Sequence, residues 1–174
     1  KQNAIFCFKI IFCKKKCKYC DFISFSCDEG KYKEYIDALE NEIKNTSKNI
    51  VPNIHEVSTI YIGGGTPSLI EPKYIERILE TIYQNIKIAG NAEITIEINP
   101  GTVSKEKLEI YKKLGINRLS IGLQTTDNEL LKLIGRIHTY EEFLDTYNTA
   151  REIGFTNINV DLMLALPTQT EKML

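Results

Sequence analysis

The chain has 174 residues, 43% of them hydrophobic and 26% charged, with a formal net charge of −1. That length fits one domain or a piece of a larger one, and the near-neutral balance shows no global bias toward nucleic acid. The early apolar run 4–13, broken only by Lys9, is too short to span a membrane and leads into lysines rather than a cleavage site, so it reads as a buried strand.

In chain order, strand and helix patterns alternate throughout. A first strand, about Ile5 to Phe12, runs into a C-x3-C-x2-C loop at Cys13, Cys17 and Cys20. Three thiolates on one short loop can hold a metal centre. A [4Fe–4S] cube normally takes four, so three leave one iron open, which marks a reactive site rather than a structural one. Lys14, Lys15, Lys16 and Lys18 add positive charge that favours thiolate and offsets the charge of a cluster. All five cysteines fall within the first 27 residues, so they cannot staple distant parts of the chain. Two other readings stand beside the cluster: zinc, with Cys27 or Cys7 as fourth ligand, and plain reduced thiols. Free cysteines without a targeting signal point to a reducing, cytoplasmic setting.

A helix follows, with Tyr32, Tyr35, Ile36, Leu39 and Ile43 on one face. Val57 to Ile62 is a second strand, closed by the glycine-rich segment Gly63-Gly64-Gly65-Thr66-Pro67. Pro72 suits a first helical turn, and Ile75, Ile78, Leu79, Ile82 and Ile86 form an apolar stripe. Glu93 to Ile98 is a third strand. The next helix starts near Ser104, buries Leu108, Tyr111 and Leu114, and stops at Gly115. Arg118 to Leu123 is a fourth strand, followed by a short helix carrying Leu130, Leu131 and Ile134 and ending at Gly135. Thr139 and Glu142 make a capping box for a helix that ends at Gly154, and Asn157 to Leu164 is a fifth strand closed by Pro167. Repeated strand–helix units mean a parallel sheet, either barrel-like or doubly wound, and five units are too few for an eight-stranded barrel of about 250 residues. The expectation is an α/β domain with its end missing.

Strands buried on both faces are almost wholly apolar, and three of these are not. Ile94, Ile96 and Ile98 oppose Glu93, Thr95 and Glu97; Leu119, Ile121 and Leu123 oppose Ser120, Gly122 and Gln124; Ile158, Val160 and Leu162 oppose Asn159 and Asp161. With the aliphatic rows against helices, Glu97, Gln124 and Asp161 face the lumen of a curved sheet, at or near the strand ends where α/β folds place ligands. Buried carboxylates need partners, so these positions read as a ligand site, against the alternative of edge-exposed carboxylates or an internal salt bridge. The triple glycine could present amides to an anion, but a tight turn is the simpler reading. Arg136 can be a solvated cation at a helix end, His138 and His55 are read as surface residues, and Tyr19 can stack on a heterocycle or shield a cluster.

Together these pieces resemble the radical S-adenosylmethionine (SAM) superfamily, and within it the oxygen-independent coproporphyrinogen III oxidase family with its heme-chaperone branch. The resemblance is carried by Cys13-x3-Cys17-x-Tyr19-Cys20-Asp21-Phe22, Gly63-Gly64-Gly65-Thr66-Pro67-Ser68, Glu97-Ile98-Asn99-Pro100-Gly101, residues 117–124, Gly135-Arg136-x-His138, Asp161-Leu162-Met163 and Leu166-Pro167, in the family's order. It implies a partial (βα)6-type radical SAM barrel, truncated after about the fifth strand, with residues 1–174 as an incomplete core domain. Cys13, Cys17 and Cys20 would hold a [4Fe–4S] cluster whose fourth iron chelates SAM. Gly64, Gly65 and Thr66 would bind the methionyl end and Arg136 the carboxylate. Glu97, Gln124 and Asp161 would take the amino and ribose groups, with Tyr19 near the adenine. The family's chemistry would be one-electron cleavage of SAM to a radical that abstracts hydrogen.

The chain departs from the family at Cys7-Phe8-Lys9-Ile10-Ile11-Phe12, where Tyr-Ile-His-Ile-Pro-Phe is usual, at Thr126 for phenylalanine and at Ala165 for glycine. Phe22 stands where coproporphyrinogen oxidases carry a fourth cysteine, which favours the chaperone-like branch, with heme or porphyrin and a heme-acceptor protein as partners. The competing expectations are oxidative decarboxylation of coproporphyrinogen III, and a non-catalytic protein that keeps a cluster or metal. A zinc module is disfavoured because no second cysteine pair or C-x-x-C…H pattern completes it.

Overall fold

The computed structural model describes residues 2–26, 29–50 and 54–173. Five strands, β1 (Gln2–Ile10), β2 (Ile54–Gly64), β3 (Ile88–Ile98), β4 (Arg118–Gln124) and β5 (Asn157–Leu162), form one parallel sheet in the order β1-β2-β3-β4-β5. The helices are α1 (Gly30–Ile50), α2 (Pro72–Asn85), α3 (Lys105–Lys113), α4 (Asn128–Ile134) and α5 (Tyr140–Ile153). A doubly wound sheet reverses its strand order at a switch point. This one never does. Right-handed crossovers between successive neighbours put the connecting helices on one side, leaving the other face of the sheet for polar residues.

The helix-covered face is the core. Ile60 and Ile62, Ile96 and Ile98, and Leu119, Ile121 and Leu123 are buried there against Ile36 and Ile43 of α1 and Ile75, Ile78, Leu79 and Ile82 of α2. Each such side chain contributes about 1.5–3 kcal/mol relative to leaving it in water. Ser104 caps α3, Thr139 and Glu142 form the capping box of α5, and Gly135 and Gly154 end α4 and α5 in the left-handed conformation.

Several expectations shift. β1 and β2 start earlier than expected, at Gln2 and Ile54, and β1 ends at Ile10 rather than Phe12. β3 begins at Ile88, because the ladder with β2 absorbs an irregularity between its Ile88 and Glu93 pairings. Ile86 falls just past α2 yet stays buried. β5 ends at Leu162, and Leu162 is 63% exposed rather than packed, because β5 is the sheet edge and only a short 3-10 turn (Glu171–Met173) follows it among the described residues. Ile158 and Val160 do pack against the core.

Beyond β1 the chain is pinned before the cysteine loop begins. Phe12 is buried against the rings of Tyr32 and Tyr35, at 4.5 and 5.2 Å between centroids. Phe25 returns beside it, donating its N–H to the Ile11 carbonyl at 2.8 Å and accepting from Cys13 N–H at 3.0 Å.

Candidate functional site

The polar face of the sheet forms the floor of a cavity of about 310 Å³, and the cysteine loop forms one wall. All eleven residues singled out in the sequence line it: Cys13, Cys17, Cys20, Tyr19, Gly64, Gly65, Thr66, Glu97, Gln124, Arg136 and Asp161. Cys13 Sγ lies 3.5 Å from the Thr66 hydroxyl, which ties the loop to the glycine-rich turn. The loop also closes on itself, with Cys20 N–H donating to the Cys17 carbonyl at 3.2 Å. Between Cys17 and Cys20, Lys18 N–H donates to the Ile134 carbonyl at 2.9 Å, satisfying an acceptor left over at the end of α4.

The glycine turn is built for close approach. A Cβ on Gly65 would stand 2.6 Å from the Phe12 carbonyl oxygen, so only glycine lets the turn reach the end of β1. Its amides are already engaged: Gly64 N–H on Glu97, Gly65 N–H on the Ile10 carbonyl and Thr66 N–H on the Phe12 carbonyl. An anion nest of free amides is therefore not available here, and the tight-turn reading holds.

Glu97 has the partners that its burial demands. The Tyr61 hydroxyl donates to one carboxylate oxygen at 2.8 Å and Gly64 N–H to the other at 2.9 Å. Gly63 makes the room, since a Cβ there would meet both Tyr61 and Glu97 within 2.9 Å. Burial nevertheless pushes the Glu97 carboxyl above the usual range, outweighing the two donors, with the charge of Asp161 adding to the rise. Burial and Glu97 together push the Tyr61 phenol up, which keeps it a donor. Asp161 corrects the expectation of a second buried carboxylate: it lines the cavity from an exposed position on the edge strand, bonded to Asn159 at 2.7 Å and Ser120 at 3.4 Å.

Gln124 ends β4 with φ +73°, a left-handed backbone rare outside glycine, where the β4–β5 ladder slips. Gly122, two residues earlier, leaves space for the Gln124 amide and the Arg136 guanidinium; a Cβ would stand 2.8 Å from one and 3.2 Å from the other. Arg136 is accordingly no free surface cation. Its Nη2 donates to the Gly122 carbonyl at 2.6 Å and to Asn99 Oδ1 at 2.9 Å. Tyr19 stands beside it, 36% exposed; burial raises its phenol and the Arg136 charge opposes that rise.

His138 corrects a second expectation. It is buried, not on the surface, with Nδ1 3.2 Å from Asn99 Oδ1. Burial, reinforced by the Arg136 charge, lowers its pKa to about 4. Nothing is described of the His55 side chain. Tyr61, Asn99 and His138 were not read as site residues. The period-two alternation that exposed Glu97 also sets Tyr61 apart from Ile60 and Ile62, so that signal was present. For Asn99 and His138 the turn context offered no such sign.

The donor set suits an iron–sulfur cluster. Three thiols face one cavity, and each would hold a different iron, so the sulfurs need not converge on one point. Among the described residues no three His, Cys, Asp or Glu side chains converge as ligands of a single ion would. Cys7 is exposed on β1 and lies off the cavity, and Cys27 lies outside the described residues. Also among the described residues, no helix is long and apolar enough to cross a membrane.

Comparison with known proteins shows the family and the fold. Residues 9–174 match the radical SAM superfamily model. The heme chaperone HemW of Bacillus subtilis is 41% identical over 167 residues, covering 95% of this chain and 43% of that protein. HemW of Escherichia coli is 39% identical over 92% of this chain and 42% of its own length. The solved structure of the coproporphyrinogen III oxidase HemN from Escherichia coli, described as a radical SAM enzyme, superimposes with a TM-score of 0.92 at 33% identity, covering 99% of this chain and 40% of that one. The chain thus spans less than half the length of these relatives. By sequence and by fold, this chain belongs to the radical SAM superfamily.

Proposed function

We propose that residues 1–174 are a radical SAM core domain that binds a [4Fe–4S] cluster through Cys13, Cys17 and Cys20 and SAM across the polar face of the sheet. The observation that carries this reading is the meeting of three thiols, the glycine turn and the inward polar row in one cavity at the carboxyl ends of the strands. When bound, the cluster and SAM together supply one-electron cleavage of SAM and a radical able to abstract hydrogen.

The chain's own residues divide the binding. Glu97, held by Tyr61 and the Gly64 amide, presents a fixed carboxylate to the cationic amino group of SAM. Gly64, Gly65 and Thr66 line the approach of the methionyl end. Arg136, fixed by Asn99 and Gly122, supplies the only guanidinium on the cavity wall among the described residues, and takes the carboxylate. Asp161 and Gln124 stand where ribose hydroxyls could be bonded, and Tyr19 offers a ring face to the adenine. Lys15 and Lys16 on the same wall offset the negative charge of a thiolate cluster.

In the whole protein we place this core in the heme-chaperone-like branch, a cytoplasmic protein that binds heme and passes it to an acceptor. What supports that reading is the identity with proteins named heme chaperones, together with Phe22 in the position of a fourth cysteine. The fold likeness to HemN favours a second reading, oxidation of coproporphyrinogen III, and a hydrogen-abstraction assay on that porphyrinogen separates the two. The core reading is tested by electron paramagnetic resonance of the anaerobically reconstituted, dithionite-reduced protein, with iron and zinc assayed on the same sample. The expected result is a [4Fe–4S]⁺ signal that shifts on addition of SAM. Zinc alone, or a cluster indifferent to SAM, overturns it.

A further inference from the structure

Behind the cavity wall, three side chains form a chain of contacts that the binding roles above leave unexplained. Asn99 Oδ1 accepts from Arg136 Nη2 at 2.9 Å and faces His138 Nδ1 at 3.2 Å. Asn99 is itself fixed: its N–H donates to Ser68 Oγ at 3.1 Å, and its carbonyl accepts from the Thr102 hydroxyl at 2.7 Å and the Thr102 N–H at 3.1 Å. A guanidinium only donates, so the Asn99 atom facing it is the oxygen. The imidazole nitrogen facing that same oxygen must then carry a hydrogen. His138 is only 3% exposed, and beside a guanidinium the imidazolium is disfavoured, so the ring is neutral with its proton on Nδ1. Its Nε2 is bare, buried and without a hydrogen-bond partner among the described residues.

We propose that His138 is a positioning residue: by donating from Nδ1 to Asn99 it fixes the acceptor that aims Arg136 into the cavity for the carboxylate of SAM. The inference rests on the reading of Arg136 as the partner of that carboxylate. Asn99 holds Arg136 from behind the cavity wall, while the Tyr19 hydroxyl meets the guanidinium on the cavity side. An Asn99 amide free to turn would present its NH2 group, a repelling donor, to the guanidinium. His138 prevents that turn, because two donors converge on the one oxygen. With Nε2 buried and without a hydrogen-bond partner among the described residues, Nδ1 is the ring nitrogen that meets a side-chain acceptor, and the Leu123 backbone is the other polar group that favours the protonated ring.

The test measures Kd for SAM and for its decarboxylated analogue on the whole, cluster-loaded protein. Removing one hydrogen bond that bears on a charged group weakens SAM binding by about tenfold or more in His138→Phe, with the decarboxylated analogue held within about twofold. His138→Asn, whose amide N–H can stand where Nδ1 stands, restores most of the loss. Equal loss for both ligands would reduce His138 to a packing role and overturn the proposal, as would no loss for either. Imidazole ¹⁵N spectra, assigned by through-bond correlation to the His138 backbone, must show the Nδ1–H tautomer in the unaltered protein; an Nε2–H tautomer overturns the proposal even if the variants fail to fold. If Arg136→Met leaves SAM binding unchanged, the carboxylate reading of Arg136 falls first, and this inference with it.

Discussion

Glu97 shows how a single residue can be satisfied and still costly to the fold. Its two donors favour the carboxylate, but burial outweighs them and holds the carboxyl above its ordinary range. In the window between the unfolded value and that higher one, the native state binds more protons than the unfolded chain. Stability therefore falls as pH rises through the window, and the cost persists at neutral pH. Glu97→Gln keeps both contacts, with its amide oxygen accepting from Gly64 and its NH2 donating to the Tyr61 oxygen. The variant is expected to melt at a higher temperature than the parent at pH 7, to lose that part of the pH dependence, and to bind SAM more weakly. Thermal melts from pH 4 to 8 with a parallel binding titration check all three. A parent that melts higher at pH 7 would show the carboxylate to be stabilising.

At the scale of elements, the segment after β5 carries a departure from the family pattern with a backbone consequence. Ala165 has φ +58°, in the left-handed region. An L side chain there costs roughly 1–2 kcal/mol, and glycine gives back part of that through its freer unfolded chain. Ala165→Gly is expected to stabilise the fold by about 0.5–1 kcal/mol, read from urea unfolding midpoints. The existence and type of the elements were legible in the sequence because apolar periodicity and capping residues are local signals: the α5 capping box and the Gly135 and Gly154 stops lie where the residues put them. Element ends were less legible where tertiary pairing decided them. β3 extends back to Ile88 because β2 supplies a partner, and β5 stops early because it has a neighbour on one side only.

For the whole molecule, the polar residues on the cavity floor were readable because period-two alternation separates a polar face from a packing face even without knowing which helix covers what. Glu97 and Gln124 follow from that rule, and Tyr61 follows from it as well once the polar tip of an aromatic ring is counted. His138 and Asn99 do not, since their burial comes from strands and loops distant in sequence. The winding order was also out of reach of pattern alone; it took the sheet order to separate barrel-type from doubly wound.

The bond from Lys18 N–H to the Ile134 carbonyl joins the cysteine loop to the helix end that leads into Arg136. Ordering of the loop by a cluster is thereby ordering of the last turn of α4, and amide exchange at Lys18 and across residues 131–136 is expected to slow when the protein is loaded with iron and sulfide. Exchange unchanged by loading would break that link. Reciprocity then applies: whatever factor the cluster adds to the grip of Arg136 on an anion, the anion returns to retention of the cluster. On the proposed reading of Arg136 as the partner of the SAM carboxylate, scarcity of SAM would leave the cluster easier to lose.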